Sequence, residues 1–268
     1  MITRRKFIKK GILGLLGLFL LDSLWFEKSF VKWKEIDLRN QSQTPIKLIQ
    51  LSDLHFKGIN RKLKKIAEKI NSLNPDLVVF TGDSIDSDKY LRNFDLFLKL
   101  IDPQIRKFAI TGNWEYWGNV SIEQLRNVYA ANNCELLINE NRQINVNDRD
   151  ISIIGIDDYI GGSANFIKAY KNIKVGDKTI VLSHCPAYAD IIKNTEHNIS
   201  IDLILSGHTH GGQINLFGFI PFIPQGSGEY ISGLYDKTTF KLYVSKGVGT
   251  SILPIRFGAR SEITMFNL

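Results

Sequence analysis

The chain has 268 residues, of which 44% are hydrophobic and 23% charged, and these values exclude an intrinsically disordered protein. Its formal net charge is +7, but five positive charges lie within the first ten residues, which leaves only +2 on the remainder. This near-neutral body does not require a basic stripe, so we do not expect nucleic acid as the main partner. Cys134 and Cys185 are far apart in sequence and form no CxxC pair, which argues against a thiol metal site or redox centre. A single disulfide is the alternative to the two buried free thiols that we expect.

The first thirty residues predict a membrane-targeting segment. Residues 3–10 read TRRKFIKK and are followed by an apolar run over 11–21, an order typical of a secretory signal. Arg4 and Arg5, followed by Phe7, resemble a twin-arginine signal. The run is about half the ~20 residues that span a bilayer, and no small-x-small cleavage site follows it. We expect an uncleaved or inefficiently cleaved anchor at the cell membrane, with twin-arginine export favoured over a cytoplasmic location.

The expected domain organisation is an anchor over 1–30, a linker over 31–44 and a folded domain over 45–268. In chain order we predict strands over 46–51, 77–80, 108–110, 151–156, 179–182, 203–205, 241–244 and 263–266, and helices over 63–70, 91–100, 122–131 and 187–193. No internal repeat interrupts this pattern. The simplest arrangement is one α/β domain with two packed sheets and helices outside them.

Side chains that bind metals follow the ends of five predicted strands. They are Asp53 and His55 in SDLH, Asp83 in GDSID, Asn113 in GNWEYW, His184 in SHCP, and His208 and His210 in GHTHGGQ. Four of the five histidines fall in these segments, and His197 alone lies in a polar stretch that we expect to be an exposed loop. Ligands of open α/β sheets bind beyond the carboxyl ends of the strands. Each motif is weak alone, but together they predict a metal site.

The ordered motifs DxH, GDxxD, GNxE, the lone His184 and GHxH resemble the calcineurin-like metallophosphoesterases, from about Ile46 to the C-terminus. The stretch from GHTHGGQ through KGVGTSILPIRFG to EITMF is similar to a membrane-anchored bacterial branch. That branch includes twin-arginine phosphodiesterases and relatives of the UDP-2,3-diacylglucosamine pyrophosphatases of lipid A biosynthesis. The resemblance implies a four-layer αββα sandwich of two mixed sheets flanked by helices, and hydrolysis of phosphate esters or anhydrides.

The resemblance also implies a binuclear metal centre. The implied ligands are Asp53, His55 and His210 for one ion, Asn113, His184 and His208 for the other, and Asp83 between both. Mixed imidazole and carboxylate ligands suit Mn, Fe, Zn or Co better than Mg or Ca, and the identity of the two divalent ions stays open. Such ions, about 3.5–4 Å apart, would share a hydroxide and clamp a phosphoryl oxygen. We expect Asp86 and Glu115 to orient ligands.

Trp114 departs from the family pattern, which has a histidine after GN. An indole N–H cannot transfer a proton usefully, whereas general-acid help is normally worth ~10²–10⁴-fold. We therefore assign no catalytic residue beyond the metal centre and expect phosphoanhydrides or activated diesters as substrates rather than alkyl monoesters. Two alternatives stay open. Another group or water supplies the proton while Trp114 only packs, or the chain is a catalytically impaired metal-binding module of the same fold.

The segment 214–224 reads INLFGFIPFIP and has two interpretations. It is either a buried loop or edge strand, or an exposed apolar rim suited to acyl chains or a membrane surface. We expect a monomer that hydrolyses a phosphodiester or pyrophosphate bond of a phosphorylated small molecule or a lipid-linked substrate such as UDP-2,3-diacylglucosamine. The membrane surface is the expected partner. A nuclease is less favoured, because the near-neutral body shows no obvious basic groove.

Overall fold

The structure, a computed structural model, describes residues 3–39 and 44–268. Its strands are β1 (Lys32–Asp37), β2 (Lys47–Leu51), β3 (Leu77–Thr81), β4 (Arg106–Ile110), β5 (Cys134–Leu136), β6 (Glu140–Val146), β7 (Arg149–Gly155), β8 (Lys178–Leu182), β9 (Leu203–Ser206), β10 (Gly233–Asp236), β11 (Lys241–Val244) and β12 (Glu262–Asn267). Its α-helices are α1 (Arg4–Leu21), α2 (Glu27–Ser29), α3 (Arg61–Leu73), α4 (Leu91–Leu98), α5 (Asn113–Trp117), α6 (Ile122–Ala130), α7 (Phe166–Tyr170) and α8 (Tyr188–Asn194). A π-helical turn, Asp22–Phe26, joins α1 to α2.

The strands form two six-stranded sheets. The first has the order β1-β12-β2-β3-β4-β5 and the second the order β10-β11-β9-β8-β7-β6. In the first sheet β2 to β5 are parallel and β12 runs antiparallel to β2. In the second, β7, β8, β9 and β11 are parallel, and the edge strands β6 and β10 are antiparallel to their neighbours. Both sheets are therefore mixed, as predicted.

Three apolar layers hold the sheets and helices together. Residues such as Leu77 and Val79 of β3 face the second sheet, while Val78 and Phe80 of the same strand face α3, α4 and α6. The outer face of the second sheet packs against α7 and α8. Alternate residues of β3 are thus buried on opposite faces, which explains why this strand is a continuous apolar run. The predicted αββα sandwich is confirmed.

The linker expected over 31–44 is wrong for its first half. β1 pairs in parallel with β12, with Lys32 opposite Glu262 and Asp37 opposite Asn267. Trp33 and Ile36 pack partly buried against the two cores, so the strand has apolar contacts although it lies at an edge. Residues 40–43 of the expected linker lie outside the described part of the chain.

The N-terminal segment is helical and is attached to the body. The Glu27 carboxylate accepts hydrogen bonds from the N–H groups of Gly258 and Ala259 (2.9 and 3.0 Å), and Arg260 Nε donates to the carbonyl of Phe30 (2.7 Å). Within residues 3–39 and 44–268, no helix combines the length and the apolar content needed to cross a bilayer. The membrane anchor and its export route stay predictions.

Two smaller expectations concern single residues. Cys134 and Cys185 are free and buried, as predicted. His197 differs from the expected exposed loop residue, because it is half-buried and its ring lies 5.3 Å from that of Phe166, centroid to centroid.

Glu115 joins two loops that carry candidate ligands. Its side chain is fully buried, and its carboxylate accepts hydrogen bonds from the N–H groups of Asp83 (3.1 Å), Ser84 (2.6 Å) and Gly112 (2.8 Å). The first two groups follow β3 and the third follows β4. An ionised carboxylate accepts from N–H donors on both oxygens. The carboxylate therefore fixes the two loops relative to each other.

We predict that Glu115→Gln lowers the free energy of unfolding by about 2–3 kcal/mol, because the new NH₂ group would face N–H donors and leave them unsatisfied. Denaturant unfolding followed by far-UV circular dichroism measures the change. Glu196→Gln in an exposed loop is the matched control and should be neutral. Equal stability of the two variants would contradict the role given to Glu115.

Candidate metal centre

The structure brings all seven predicted ligand residues together beyond the carboxyl ends of the strands. One group contains Asp53, His55 and His210, a second contains Asp83, His184 and His208, and within each group the ligand atoms lie within 4.8 Å of one another. The Asn113 side chain joins the second group, with its Oδ1 atom 2.9 Å from Nδ1 of His208. All seven residues are buried.

Asp83 lies between the two groups. Its Oδ2 atom is 3.2 Å from Nε2 of His184 and 3.7 Å from Nε2 of His55, which belongs to the other group. Within the groups, Nε2 of His55 is 3.0 Å from Nε2 of His210, and Nδ1 of His208 is 3.3 Å from Nε2 of His184. Ligand atoms that bind one cation at about 2.1 Å lie roughly 3.0–3.4 Å apart, so these nitrogen pairs have the spacing of shared ligands.

Three of the histidines use their second ring nitrogen in a hydrogen bond to an oxygen atom. The pairs, each 2.7 Å apart, are His55 Nδ1 with Asp86 Oδ1, His184 Nδ1 with the carbonyl of Thr81, and His208 Nε2 with the carbonyl of Gln225. Such contacts fix the ring and leave the other nitrogen free to bind a cation. Asp86 thus makes the contact expected of an orienting residue, whereas Glu115 contacts backbone N–H groups instead.

The sequence did not single out Arg256, which contacts the fourth histidine. Its guanidinium is fully buried and donates to the carbonyls of Gly249 (2.8 Å) and Ala259 (2.7 Å), and Nη2 lies 3.1 Å from Nδ1 of His210. Burial lowers the pKa of Arg256 to about 10. An arginine inside the apolar run ILPIRFG is the one sequence signal of this role. The same arginine belongs to the stretch that carries the family resemblance.

The pKa values of the histidines reflect the buried carboxylates around them. Burial, reinforced by neighbouring positive charge, lowers the pKa of His210 well below its usual value and also lowers the pKa of His208. Burial acts in the same direction on His55 and His184, but adjacent carboxylates, including Asp83, raise both pKa values above the usual one. The site therefore attracts positive charge. A bound divalent cation would supply that charge in place of protons.

A second observation, at Asp53, indicates that these residues could bind a divalent cation. The Oδ1 atom of Asp53 accepts a hydrogen bond from the N–H of His208 (2.9 Å), but Oδ2 is buried and has no hydrogen-bond partner among the described residues. A buried carboxylate oxygen without a partner is costly, and coordination of a cation would remove that cost. Four imidazoles, two carboxylates and an amide form the donor set.

The loops that carry the ligands have strained backbones. The residues with positive φ are Asp53 (50°), His55 (42°), Asp83 (52°), His208 (72°) and His210 (50°). Left-handed conformations of residues other than glycine cost on the order of 1 kcal/mol or more each and concentrate at functional sites. Two glycines leave space for the carboxylates of these loops. A Cβ on Gly112 would lie 2.3 Å from Oδ1 of Asp83, and a Cβ on Gly207 would lie 2.4 Å from Oδ2 of Asp53, so a larger residue at either position would clash.

An apolar cavity of about 500 Å³ opens onto the candidate ligands. It is lined by Asp83, Asn113, His208 and His210 together with apolar side chains, which include Trp114, Trp117, Ile160, Pro221, Phe222, Ile252 and Leu253. Of the two interpretations of segment 214–224, the buried loop is wrong, because Phe217 is 99% and Phe222 67% exposed. The exposed-rim interpretation describes the segment correctly.

The expectation that the body lacks a basic groove is also wrong. A second cavity, of about 870 Å³, borders His55 and is lined by seven basic residues. The low net charge of the body concealed this groove, because a charge total does not report where charges cluster.

Comparison with known proteins identifies the family to which this sequence is related. Residues 46–212 match the family described as calcineurin-like phosphoesterase. The chain is 32% identical over 229 residues to YkuE of Bacillus subtilis, an uncharacterised metallophosphoesterase, covering 83% of this chain and 78% of the relative. It is 31% identical over 245 residues to a Bos taurus protein named transmembrane protein with metallophosphoesterase domain, covering 85% of this chain and 54% of the relative.

Among solved structures, the NAD nucleotidase of Haemophilus influenzae superposes with a TM-score of 0.50 at 15% identity, covering 76% of this chain and 46% of that one. At this identity the likeness concerns the fold alone. The sequence match to the family covers more than half of the chain, including the strand-end motifs described above. The chain therefore belongs to the calcineurin-like phosphoesterase family.

Proposed function

We propose that the protein is a hydrolase with two divalent cations that cleaves a phosphodiester or pyrophosphate bond. The observation that carries this proposal is the placement of two ligand groups side by side, with the Asp83 carboxylate between them. Divalent cations bound at these positions would polarise a phosphoryl oxygen and lower the pKa of a bound water. Asp53, His55 and His210 would hold one ion, and Asn113, His184 and His208 the other.

The residues around the ligands support this role by limiting their freedom. Asp86 and the carbonyls of Thr81 and Gln225 orient three imidazoles, and Arg256 contacts the fourth. Trp114 contributes its backbone N–H to Oδ1 of Asp83 (2.9 Å), which steadies the carboxylate between the two groups. The four histidines and Asp83 are therefore held before a cation or a substrate arrives, which lowers the reorganisation needed for the reaction.

The leaving group must depart without a histidine at position 114. The Trp114 ring lines the apolar cavity and packs edge-on against the His55 ring, with centroids 5.8 Å apart. Its indole N–H can donate a hydrogen bond but cannot release a proton. A phosphate leaving group, with a second pKa near 6, hardly needs one, whereas an alkoxide does. We therefore infer a preference for phosphoanhydrides and activated diesters.

The apolar cavity supports a substrate with a lipid portion. Trp114 and Trp117 on one wall and Phe222, Ile252 and Leu253 on another give an acyl chain apolar contacts beside the candidate ligands. We propose UDP-2,3-diacylglucosamine as the specific candidate if the site faces the cytosol. An envelope phosphodiester replaces it if the twin-arginine-like segment exports the domain. The exposed apolar residues of α1, including Phe7, Ile12 and Leu13, support attachment to a membrane.

The metal centre can be tested through Asp83. We expect the protein purified with Mn²⁺ to hold two equivalents of metal and to hydrolyse bis-p-nitrophenyl phosphate. Asp83→Asn should lose at least one equivalent and reduce kcat by more than the ~10–100-fold typical of orienting residues. Elemental analysis and a chromogenic assay give the two readouts, and Asp148→Asn on an exposed turn is the matched control. A metal-loaded protein with no turnover on any phosphoester would instead indicate the impaired binding module.

The leaving-group proposal predicts the substrate profile of a second variant. Wild-type turnover should fall from a matched anhydride and aryl diester to an alkyl monoester. Trp114→His should raise alkyl monoester turnover by about 10²-fold and change anhydride turnover little, because it restores a general acid. Trp117→His on the same wall is the control. A wild-type preference for alkyl monoesters would refute the inference.

The acyl-chain proposal predicts a selective loss. Phe222→Ser should lower kcat/KM for an acylated substrate about 10–100-fold, since burying a phenyl group contributes about 1.5–3 kcal/mol, and should leave the deacylated analogue unaffected. Phe217→Ser removes a similar ring that does not line the cavity and should change neither value. Equal losses on both substrates would show that the cavity does not recognise acyl chains.

A further inference from the structure

The charged side chains that line the second cavity, of about 870 Å³, are all basic. Its basic residues are Lys28, Lys57, Arg61, Lys62, Lys65, Lys69 and Arg260, and no acidic side chain is among the described residues that line it. The aromatic rings of Trp25, Phe30 and Trp33 complete the wall. A concave surface with charges of one sign focuses the electric field and concentrates counter-ions. The cavity is therefore suited to an anion.

These cations are poorly neutralised by the protein itself. Across residues 3–39 and 44–268, the one ion pair formed by the seven is a long contact between Lys57 Nζ and Asp86 Oδ2, at 3.9 Å. The Lys62 ammonium donates to two carbonyls, those of Lys28 (3.1 Å) and Val248 (2.9 Å). Burial, followed by the charges of Arg256 and Lys28, lowers the pKa of Lys62 to about 8. A ligand with negative charge would relieve this repulsion.

The start of α3 adds to the positive field. Asn60 caps the helix by accepting a hydrogen bond from the N–H of Leu63 (3.0 Å), and the first turn contains no acidic residue. Asn60, Arg61 and Lys62 all line the cavity. The N-terminus of a helix of this length favours phosphate oxygens, because its free N–H groups and dipole point toward them.

The surroundings of the basic cavity indicate which kind of phosphate-containing molecule it could bind. The wall from Trp25 to Trp33 continues directly from α1, whose first turns are basic and whose described apolar side chains, such as Phe7 and Ile12, are exposed. Thr250 lines the basic cavity, and the next residues, including Ile252 with 80% exposure, line the apolar one. Tryptophan with lysine and arginine at the edge of an apolar surface is typical of the membrane–water interface.

We propose that the basic cavity binds the phosphate headgroups of anionic lipids and so holds the apolar cavity against the bilayer surface. The proposal concerns binding alone and does not depend on hydrolysis. Nucleic acid fits the charge but not the exposed apolar rim that adjoins it. The two cavities flank the candidate ligands, one through His55 and the other through His208 and His210, so docking would bring both to the membrane.

Flotation of the full chain with vesicles tests this proposal. Arg61→Gln combined with Lys65→Gln removes two exposed cavity cations, and Lys168→Gln combined with Lys174→Gln removes two exposed cations elsewhere, so the net charges match. Each basic residue near an anionic surface contributes about fivefold in affinity, so the cavity pair should weaken binding to phosphatidylglycerol vesicles about 25-fold. Binding to phosphatidylcholine vesicles should not change.

Several readouts decide the result. Equal binding of the two variant pairs to phosphatidylglycerol vesicles would overturn the proposal. A single-stranded RNA that binds more tightly than these vesicles, and loses that binding in the cavity pair, would replace it with a nucleic-acid site. Soluble glycerophosphoglycerol that competes at the phosphate concentration of the vesicles would show that free phosphate suffices and would also overturn it. Turnover of bis-p-nitrophenyl phosphate should be equal in both pairs, which separates failure of docking from failure of the proposed hydrolase.

Discussion

Two buried carboxylates, Asp53 and Asp83, impose the main physical constraint on this structure. Neither can be left uncompensated away from water, and one oxygen of Asp53 has no hydrogen-bond partner among the described residues. The four imidazoles gathered around them are fixed by further contacts, so positive charge is drawn to defined points between the ligand atoms. Burying these carboxylates and imidazoles costs desolvation free energy, and the packing of the surrounding sheets and loops keeps them together in spite of that cost.

That architecture combines stiff strands with strained loops. The strands beneath the site are buried on both faces, and the residues just beyond them adopt left-handed backbone conformations. Glu115 fixes the loop after β3 to the turn after β4, and Gly112 and Gly207 leave room for ligand side chains. Strain of this kind persists only where packing over-determines the conformation, which two sandwiched sheets provide.

The sequence alone predicted the interior strands of both sheets but not the edge strands. The eight predicted strands are the eight interior ones, because burial on both faces produces continuous apolar runs. The four strands that it did not predict, β1, β5, β6 and β10, are the four edges, where one side faces solvent and polar residues such as those of ENRQINV are tolerated. The candidate ligand residues were predictable because each follows an interior strand. Arg256 and the basic cavity were not, because they depend on segments that meet only in the folded chain.

The pairing of β1 with β12 has a mechanical consequence. About ten residues separate the end of α1 from β1, and Glu27 and Phe30 within them are bonded to the segment before β12. A helix mounted this way cannot swivel freely as a flexible tether would. If α1 binds a bilayer, as we propose, these hydrogen bonds would restrict the height and tilt of the domain above it. The face that carries the candidate metal ligands would then stay close to the membrane surface instead of turning freely in bulk solvent.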